Sequence, residues 1–338
     1  MTDTNDALAV RFLLYGRLIS EAVCTFANLG LPDMIDEKGC DVELLAERAE
    51  LDSERLLDLL RLLEVCELVR LAQGRVWRTE RGGYLCADRP GSVLPTARLV
   101  RASVGRAWDG LETTLRTGQP AFDTVYGRSF FAELDHNPDL RAIFDESQAH
   151  GLRSELDAIG DLIAAGGTAR VLDIGGGDGY LLTRLLTRFS ALTGVLVDRE
   201  TVLERGRARL AAQRLTARCS CVAADFFAPL ELGVTAGDVL IMRHILHDWD
   251  DSAAVAILAN CRAAMPAGTR LLVVEHFSAA NTERRDPMAA VMSLYMATVT
   301  SGRERTLAEY EKLHSVAGLA VSGVTLSGGA CLIESRPE

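Results

Sequence analysis

The chain has 338 residues, enough for one large domain or two smaller ones, and 48% of them are hydrophobic, which allows a sizeable core. Its formal net charge of −11 at pH 7 argues against binding to nucleic acid or to an acidic membrane surface. No run of about 18 uncharged apolar residues occurs, so no transmembrane helix is expected, and the acidic start M-T-D-T-N-D lacks the apolar segment of a signal peptide.

The eight cysteines are scattered, and no two of them form a Cys-x-x-Cys pair. This spacing supports neither a zinc ribbon nor a thioredoxin motif. Several cysteines lie inside apolar patterns, which is typical of reduced, buried thiols. We therefore predict a cytoplasmic protein.

The first hundred residues predict a winged helix. An amphipathic helix is expected over 7–29, a short helix over 41–50 and a third over 54–67 that Asp52 can cap. The alternation over 69–77 around Gln73-Gly74 predicts a hairpin.

A winged helix also raises the alternative of DNA binding. Residues 1–100 carry 17 acidic side chains against 12 basic ones, and the helix that would enter the groove, over 53–67, has four acids and two arginines. A DNA-reading helix should be basic. The apolar surface of these helices is better explained as a dimer interface.

The middle of the chain, 92–165, is predicted to be mostly helical, with breaks at 117–120 and 137–138. Gly166-Gly167 is the expected last hinge. We therefore divide the chain into a dimerisation domain over 1–95, a helical linker over 96–166 that contributes to the substrate pocket, and a ligand-binding domain over 167–338.

From residue 170 strands and helices alternate, which predicts an α/β fold with a Rossmann-like, doubly wound parallel sheet and a ligand at the carboxyl ends of its strands. The expected strands are 170–174, 193–198, 218–223, 238–242 and 269–275, with helices over 179–189, 200–213 and 251–264. An inserted apolar helix over 285–299, a helix over 306–317 and strands over 319–326 and 329–335 complete it.

The most informative stretch is a strand that ends in a glycine turn, V-L-D-I-G-G-G-D-G, at 171–179. A dinucleotide loop needs G-x-G-x-x-G, but the third glycine position falls on Tyr180 or Leu182. Asp173 inside the strand suits a cationic ligand group. A plain tight turn does not need four glycines in five positions. The combination resembles the S-adenosylmethionine (SAM) loop of class I methyltransferases, with Gly175, Gly176 and Gly177 at the cofactor.

Acidic residues follow the next two strands. Asp198, at the end of the second strand, is where an acid accepts hydrogen bonds from ribose hydroxyls. Asp225 follows the third strand, where it can accept the adenine amino group while Phe226 stacks on the ring. Each is otherwise an ordinary exposed acid at a strand end.

His247 is a candidate general base because an unperturbed histidine titrates near pH ~6.5. Glu275 and Glu304 could flank it. Glu304 could instead form a salt bridge to Arg303 or Arg305 at a helix start. The spacing of His244 and His247 also permits zinc, but no third ligand pattern supports a metal site, so none is predicted.

The chain resembles the small-molecule O-methyltransferases typified by plant caffeate O-methyltransferases and bacterial tailoring enzymes of aromatic antibiotics. The matching motifs run along nearly the whole chain: A-E-R-A-E-L-D-S-E-R-L-L-D-L-L-R-L-L, R-T-G-Q-P-A-F, V-L-D-I-G-G-G-D-G, A-D-F-F, I-L-H-D-W-D-D, V-V-E-H-F, G-R-E-R-T and A-G-L. The resemblance implies a homodimer built from the N-terminal helices and SAM as the cofactor. It implies His247 as the base between Glu275 and Glu304, Arg243 and Trp249 beside the cofactor, and Phe144 near the reacting methyl group.

The expected substrate-binding residues are Phe130, Phe131, Phe144, Gln148, Asp248, Met292, Ser293 and Met296. Several of these could equally be ordinary core residues. Ser293 stands where the family often has Asp or Asn, and Gln148 where Met is frequent. Asp198-Arg199-Glu200 replaces the usual Asp-Leu-Pro, as in phenazine-modifying members. These departures concern the substrate rather than the cofactor.

We therefore predict a SAM-dependent O-methyltransferase that acts on a phenolic or polycyclic natural product, with phenazines among the expected acceptors. One alternative keeps the SAM site for decarboxylation, hydroxylation or cyclisation, or for methylation of a ring nitrogen. Another is a SAM-sensing DNA-binding protein, which the acidic first hundred residues disfavour.

Overall fold

The computed structural model describes residues 2–276, 287–327 and 329–338. Backbone contacts group the chain into two compact units. The first comprises the residues up to Gly105 together with Ala142–His150. The second comprises Arg106–Arg141 and Gly151–Glu338.

The amino-terminal half is built from helices and one small sheet. Its helices are α1 (Thr2–Leu14), α2 (Gly16–Asn28), α3 (Leu31–Met34), α4 (Val42–Arg48), α5 (Ser53–Val65), α6 (Leu94–Leu99), α7 (Gly105–Ala107), α8 (Leu111–Thr117), α9 (Ala121–Tyr126), α10 (Phe130–His136) and α11 (Pro138–Ala165). Strands β1 (Cys40–Asp41), β2 (Val69–Ala72) and β3 (Arg75–Arg78) form an antiparallel sheet in the order β1-β3-β2.

Two sequence predictions for this half have a clear outcome in the structure. The cap is confirmed, because the Asp52 side chain accepts a hydrogen bond from the Arg55 backbone N–H at 2.9 Å. The single helix expected over 7–29 is wrong, because the chain turns at Tyr15 and forms α1 and α2. The apolar pattern continues across this break, so periodicity did not reveal it.

The carboxy-terminal half is an α/β domain. Its helices are α12 (Tyr180–Arg188), α13 (Glu200–Ala212), α14 (Asp251–Ala264), α15 (Pro287–Val299) and α16 (Leu307–Val316). Its strands are β4 (Arg170–Ile174), β5 (Thr193–Asp198), β6 (Cys219–Ala223), β7 (Val239–Arg243), β8 (Arg270–His276), β9 (Leu319–Ser327) and β10 (Ala330–Pro337). The first two positions of the helix expected over 285–299 lie outside the described residues.

The seven strands follow the order β6-β5-β4-β7-β8-β10-β9. The first five of these are parallel, while β10 runs antiparallel to both β8 and β9. The expected Rossmann-like sheet is therefore confirmed, with an antiparallel pair at one edge. The direction of winding reverses between β4 and β7, and open α/β sheets bind ligands at such a switch point.

The central strands are apolar almost throughout because helices cover both faces of the sheet. On one face Leu172 and Leu240 pack with α14 and α16. On the other face Val171 and Ile241 pack with α11, α12 and α13. Among the described residues, every helix is too short or too polar to span a membrane.

Candidate active site

The glycine turn follows β4 and ends at the start of α12. Gly175 has φ +70, and a Cβ there would come within 2.6 Å of Ile245 Cδ1. A Cβ on Gly176 would come within 2.6 Å of the Asp173 carboxyl group. Glycine is therefore required at Gly175 by backbone conformation and at both positions by close approach.

Asp173 is an ionisable group in the core of the sheet. Its side chain is buried, and Oδ2 has no hydrogen-bond partner among the described residues. Burial raises the pKa of Asp173 to about 7, and the nearby Asp198 adds to this shift. An unpaired buried carboxylate is costly, so this position would be stabilised by a cationic group.

Asp198 is tied to the same turn. Its Oδ2 accepts a hydrogen bond from the Gly177 backbone N–H at 2.9 Å, and Oδ1 accepts from the Arg199 N–H at 2.7 Å. Burial raises the pKa of Asp198, and these hydrogen bonds oppose the shift. The carboxylates of Asp173 in β4 and Asp198 at the end of β5 are therefore close enough to interact electrostatically.

Aromatic rings gather beside the turn. Phe226 lies near Gly175, where an added Cβ would be 3.5 Å from Phe226 Cε1. Trp249 meets Phe226 edge to face at 6.0 Å between ring centroids and stacks on Phe131 at 5.8 Å. Asp225 is exposed, and its Oδ1 accepts a hydrogen bond from the Phe227 N–H at 2.9 Å.

His247 lies in a short 3₁₀ turn, Leu246–Asp248, directly after β7. The ring is buried, with Nδ1 3.1 Å from Glu304 Oε1 and 3.7 Å from Glu275 Oε2. Nε2 points the other way and lies 3.9 Å from Asp248 Oδ1. Glu304 thus contacts the histidine, whereas Arg303 and Arg305 pair with Asp251, so the alternative of a helix-start salt bridge is wrong.

Glu275 anchors the loop as well as facing the ring. Its Oε1 accepts hydrogen bonds from the backbone N–H groups of Ile245 at 3.0 Å and Leu246 at 2.6 Å. Its Oε2, which faces His247 Nδ1, has no other partner among the described residues. Burial raises the pKa of Glu275, and His247 opposes that shift.

The electrostatics of this cluster favour a proton on the ring. Burial alone would lower the pKa of His247, but Glu275, Asp248 and Glu304 outweigh it and raise the pKa to about 10. Burial also raises the pKa of Asp248 to about 7, and the charge of His247 opposes that rise. Because these groups are coupled, each deprotonation step is a property of the whole cluster and not of one residue.

The family model of the O-methyltransferase domain matches residues 108–320. An O-methyltransferase from Streptomyces lavendulae, SfmM3, is 39% identical over 322 residues, 93% of this chain and 95% of that protein. A phenazine O-methyltransferase from Lysobacter antibioticus, PhzM, is 30% identical over 346 residues and covers 100% of both.

The chain belongs to the O-methyltransferase family. It is a SAM-dependent O-methyltransferase, as the sequence predicted. A solved relative is NcsB1 from neocarzinostatin biosynthesis, in complex with S-adenosylmethionine and 2-hydroxy-5-methyl naphthoic acid. It has a TM-score of 0.80 and 32% identity, and it covers 94% of this chain and 96% of that one.

The residues of the glycine turn fit this cofactor. SAM carries a cationic α-amino group, and the buried Asp173 carboxylate has an oxygen without a hydrogen-bond partner. The turn leaves no room for a Cβ at Gly175 or Gly176. The methyltransferase therefore has both a charge and a close backbone surface that suit the methionine end of SAM.

Sequence reasoning missed two residues that hold the His247 loop. The Arg305 side chain is fully buried, and it donates hydrogen bonds to the backbone oxygens of Leu246 at 2.8 Å and Trp249 at 2.7 Å. A Cβ on Gly302 would lie 1.8 Å from the His247 carbonyl oxygen. Gly302 and Arg305 both belong to the G-R-E-R-T motif, and this motif is the feature of the sequence that could have identified them.

The structure also connects Arg243 to a residue that sequence reasoning did not single out. Arg243 Nε donates to Glu155 Oε2 at 2.5 Å, and His244 Nε2 lies 3.4 Å from Glu155 Oε1. Burial raises the pKa of Glu155, but His244 and Arg243 outweigh it and lower the pKa to about 2. Glu155 lies on α11, far from this loop in sequence.

The expected substrate residues are distributed over both units. Phe130 and Met296 are buried, while Phe131, Asp248, Met292 and Ser293 are half-buried, all of them in the second unit. Phe130 and Phe131 meet at 5.6 Å between ring centroids. Phe144 and Gln148 are half-buried residues of the Ala142–His150 segment of the first unit.

Proposed function

We propose that this methyltransferase methylates a phenolic hydroxyl of an aromatic natural product, with His247 as the general base. The observation that carries the proposal is the orientation of His247. Its Nδ1 faces the carboxylates of Glu304 and Glu275, while Nε2 faces away from both. In the neutral ring this arrangement keeps the single proton on Nδ1 and leaves Nε2 to take one from the acceptor hydroxyl.

The task of the base follows from the acidity of phenols. A phenol has a pKa near ~10 and is a weak nucleophile at neutral pH until its proton is removed. The acids around His247 raise its pKa, so the neutral ring is a stronger base than a free imidazole and can take this proton at Nε2. Glu275 and Glu304 stabilise the imidazolium that results. When bound, SAM supplies a methyl group on a positively charged sulfur, which is a strong electrophile.

We assign the cofactor to the carboxyl ends of the parallel strands. The turn Gly175–Gly177 and Asp173 hold the methionine end, Asp198 binds the ribose, and Asp225 binds the adenine amino group. The remaining residues beside the cofactor are Phe226, Arg243 and Trp249. The support is the clustering of Phe226 and Trp249 next to Gly175, together with the hydrogen bond between Asp198 and Gly177.

We assign the acceptor to a site of the second unit that is lined by aromatic and sulfur-containing side chains. Its expected residues are Phe130, Phe131, Asp248, Met292, Ser293 and Met296. Phe144 and Gln148 belong to the first unit and remain substrate-binding residues by sequence prediction only. Two relatives support an aromatic acceptor: PhzM is named for phenazine, and NcsB1 was crystallised with a naphthoic acid. Phenazine-like polycycles are therefore the first acceptors to examine.

The experiment is incubation of the full-length protein with SAM and a panel of phenols, naphthols and hydroxyphenazines. Product mass and release of S-adenosylhomocysteine are measured. His247→Ala should lower kcat by roughly 10²–10⁴-fold, the usual contribution of a general base. His136→Ala, which alters an exposed histidine of α10, is the matched control. Equal methyl transfer by His247→Ala and wild type would refute the assigned base.

We also propose that two copies of the chain form a homodimer through the segment 1–95. In this proposal 96–166 contributes to the acceptor site and 167–338 binds SAM. The support for the dimer is a row of exposed apolar side chains on α1 and α2. These are Leu8, Val10, Phe12, Leu13, Leu14, Tyr15 and Leu18. Such a surface is unusual for a monomer and typical of a protein interface.

A further inference from the structure

A cluster of metal-ligand side chains lies beside the His247 loop and plays no part in the methyl transfer proposed above. His244 follows β7, His276 ends β8 and Glu155 projects from α11. One ligand atom from each residue lies within 4.8 Å of the other two. The spacing in the sequence permitted zinc at His244 and His247 but showed no third-ligand pattern, whereas the fold places His244 with His276 and Glu155.

We propose that Glu155, His244 and His276 form a binding site for a divalent transition metal ion, and that Zn²⁺ is the ion this donor set favours. Two imidazole nitrogens and one carboxylate oxygen are ligands that Zn²⁺ takes in sites with three protein ligands and an open position. The site goes beyond the methyl transfer, which the residues around His247 account for without it.

The arrangement of Glu155 matches a ligating carboxylate. Its Oε2 accepts from Arg243 Nε at 2.5 Å, so this oxygen is fixed from behind. Its Oε1 is turned toward His244 and lies 3.4 Å from Nε2. Metal-bound carboxylates are commonly held by such an outer hydrogen bond, which orients the ligating oxygen.

His244 supplies the independent observation. Nε2 is buried and makes no hydrogen bond to any of the described residues, although a buried imidazole nitrogen normally has a partner. The backbone of His244 also has φ +54, a left-handed conformation that is uncommon for a non-glycine residue. The fold thus points this nitrogen at Glu155 Oε1, 3.4 Å away, without a well-formed hydrogen bond and at some conformational cost.

The geometry also separates this cluster from the proposed base. The His244 and His276 ring centroids are 4.4 Å apart, whereas those of His247 and His276 are 6.4 Å apart. His247 directs Nδ1 to Glu304 instead. Binding at Glu155, His244 and His276 therefore leaves the ring of His247 with its own acids.

The test uses the full-length protein after treatment with a chelator. Co²⁺ is titrated in and its visible absorption is recorded, and Zn²⁺ is then added as a competitor to measure affinity and stoichiometry. We expect one ion per chain. His276→Ala and Glu155→Gln should each lower Zn²⁺ affinity by more than the roughly 10–100-fold that loss of an outer-shell partner costs.

Two control variants make the result specific. His247→Gln and His136→Gln should leave the Co²⁺ spectrum and the Zn²⁺ affinity unchanged, although His247→Gln abolishes the proposed base. Far-UV circular dichroism checks that each variant is folded. Absence of saturable Co²⁺ and Zn²⁺ binding to the wild type overturns the proposal. Loss of binding in His247→Gln with retention in His276→Ala overturns it as well, in favour of the other histidine pair.

Discussion

At the scale of single residues, the charge around His247 decides when it can act as a base. The pKa of His247 is raised to about 10, so at neutral pH the ring of the free protein carries a proton on both nitrogens. A general base must be neutral to accept a proton. The fraction of active enzyme should therefore rise as the pH rises above 7. The same shift stabilises the fold fully below pH ~6.5, and this contribution is lost as the pH approaches about 10.

Glu304→Gln tests this assignment. The amide oxygen can still accept a hydrogen bond from Nδ1, but the negative charge that raises the pKa of His247 is removed. We expect kcat to fall, and the rise of kcat/KM with pH to move to lower pH. The pH profile of kcat/KM is compared with that of Glu311→Gln, which alters an exposed acid of α16. A profile that keeps its position in Glu304→Gln would contradict the role of Glu304.

Asp173 links SAM binding to stability, because its carboxylate should favour SAM but destabilises the free protein. Its pKa is about 7 in the fold and near ~3.8 when unfolded, so its ionisation destabilises the free protein as the pH rises from about 4 to above 7. Each unit of pKa shift corresponds to about 1.4 kcal/mol. Asp173→Asn should therefore raise the free energy of unfolding by a few kcal/mol at pH 8, and much less at pH 5.

The same variant should bind SAM more weakly. A charged hydrogen bond contributes about 1.5–3 kcal/mol, which corresponds to roughly 10–100-fold in affinity. Thermal unfolding at pH 5 and pH 8 and calorimetric titration with SAM measure the two effects on one preparation. Unchanged SAM affinity together with lower stability at pH 8 would show that Asp173 is a structural residue.

At the scale of elements, the loop that carries His247 is positioned by the segment before α16. The buried Arg305 side chain reaches the backbone of Leu246 and Trp249 on either side of His247 and also pairs with Asp251. Its planar guanidinium presents these donors in a fixed fork, which a lysine cannot reproduce. We therefore expect Arg305 to be a positioning residue that acts through the loop.

Arg305→Lys should lower kcat by up to about 100-fold, because small displacements of a catalytic group are costly. Arg303→Lys is the matched control, since Arg303 also pairs with Asp251 but directs its other nitrogen to Glu309 and not to the His247 loop. Steady-state kinetics with a single acceptor separates kcat from KM. Equal kinetics for the two variants would contradict the role of Arg305.

The sequence predicted elements better than contacts. The bounds of the five parallel strands between residues 170 and 276 were predicted to within about one residue, because buried parallel strands are short apolar runs bounded by turns. The break at Tyr15 was missed because the apolar pattern continues through it. The contacts of Arg305 and Glu155 could not be predicted from local spacing, because Glu155 and Arg243 are 88 residues apart and meet only in the folded domain.

At the scale of the whole molecule, the exposed apolar row on α1 and α2 is the feature that a monomer does not explain. Leu13 and Leu14 are 77% and 76% exposed, and a stable interface should bury at least about 1,000 Å² of total surface over the two partners. We expect the wild type to be a dimer by light scattering after gel filtration. Leu13→Glu combined with Leu14→Glu should produce monomers, because two charges would be buried without partners in the interface.

Leu115→Glu is the control for this change, since Leu115 is a 71% exposed leucine of α8 outside the apolar row. It should leave the dimer intact. Monomeric wild type, or a dimer that persists in the double variant at the same protein concentration, would show that α1 and α2 do not form the interface. If instead the double variant is monomeric and still binds SAM with wild-type affinity, the dimer and the cofactor site are independent, as expected if SAM binds to the α/β domain.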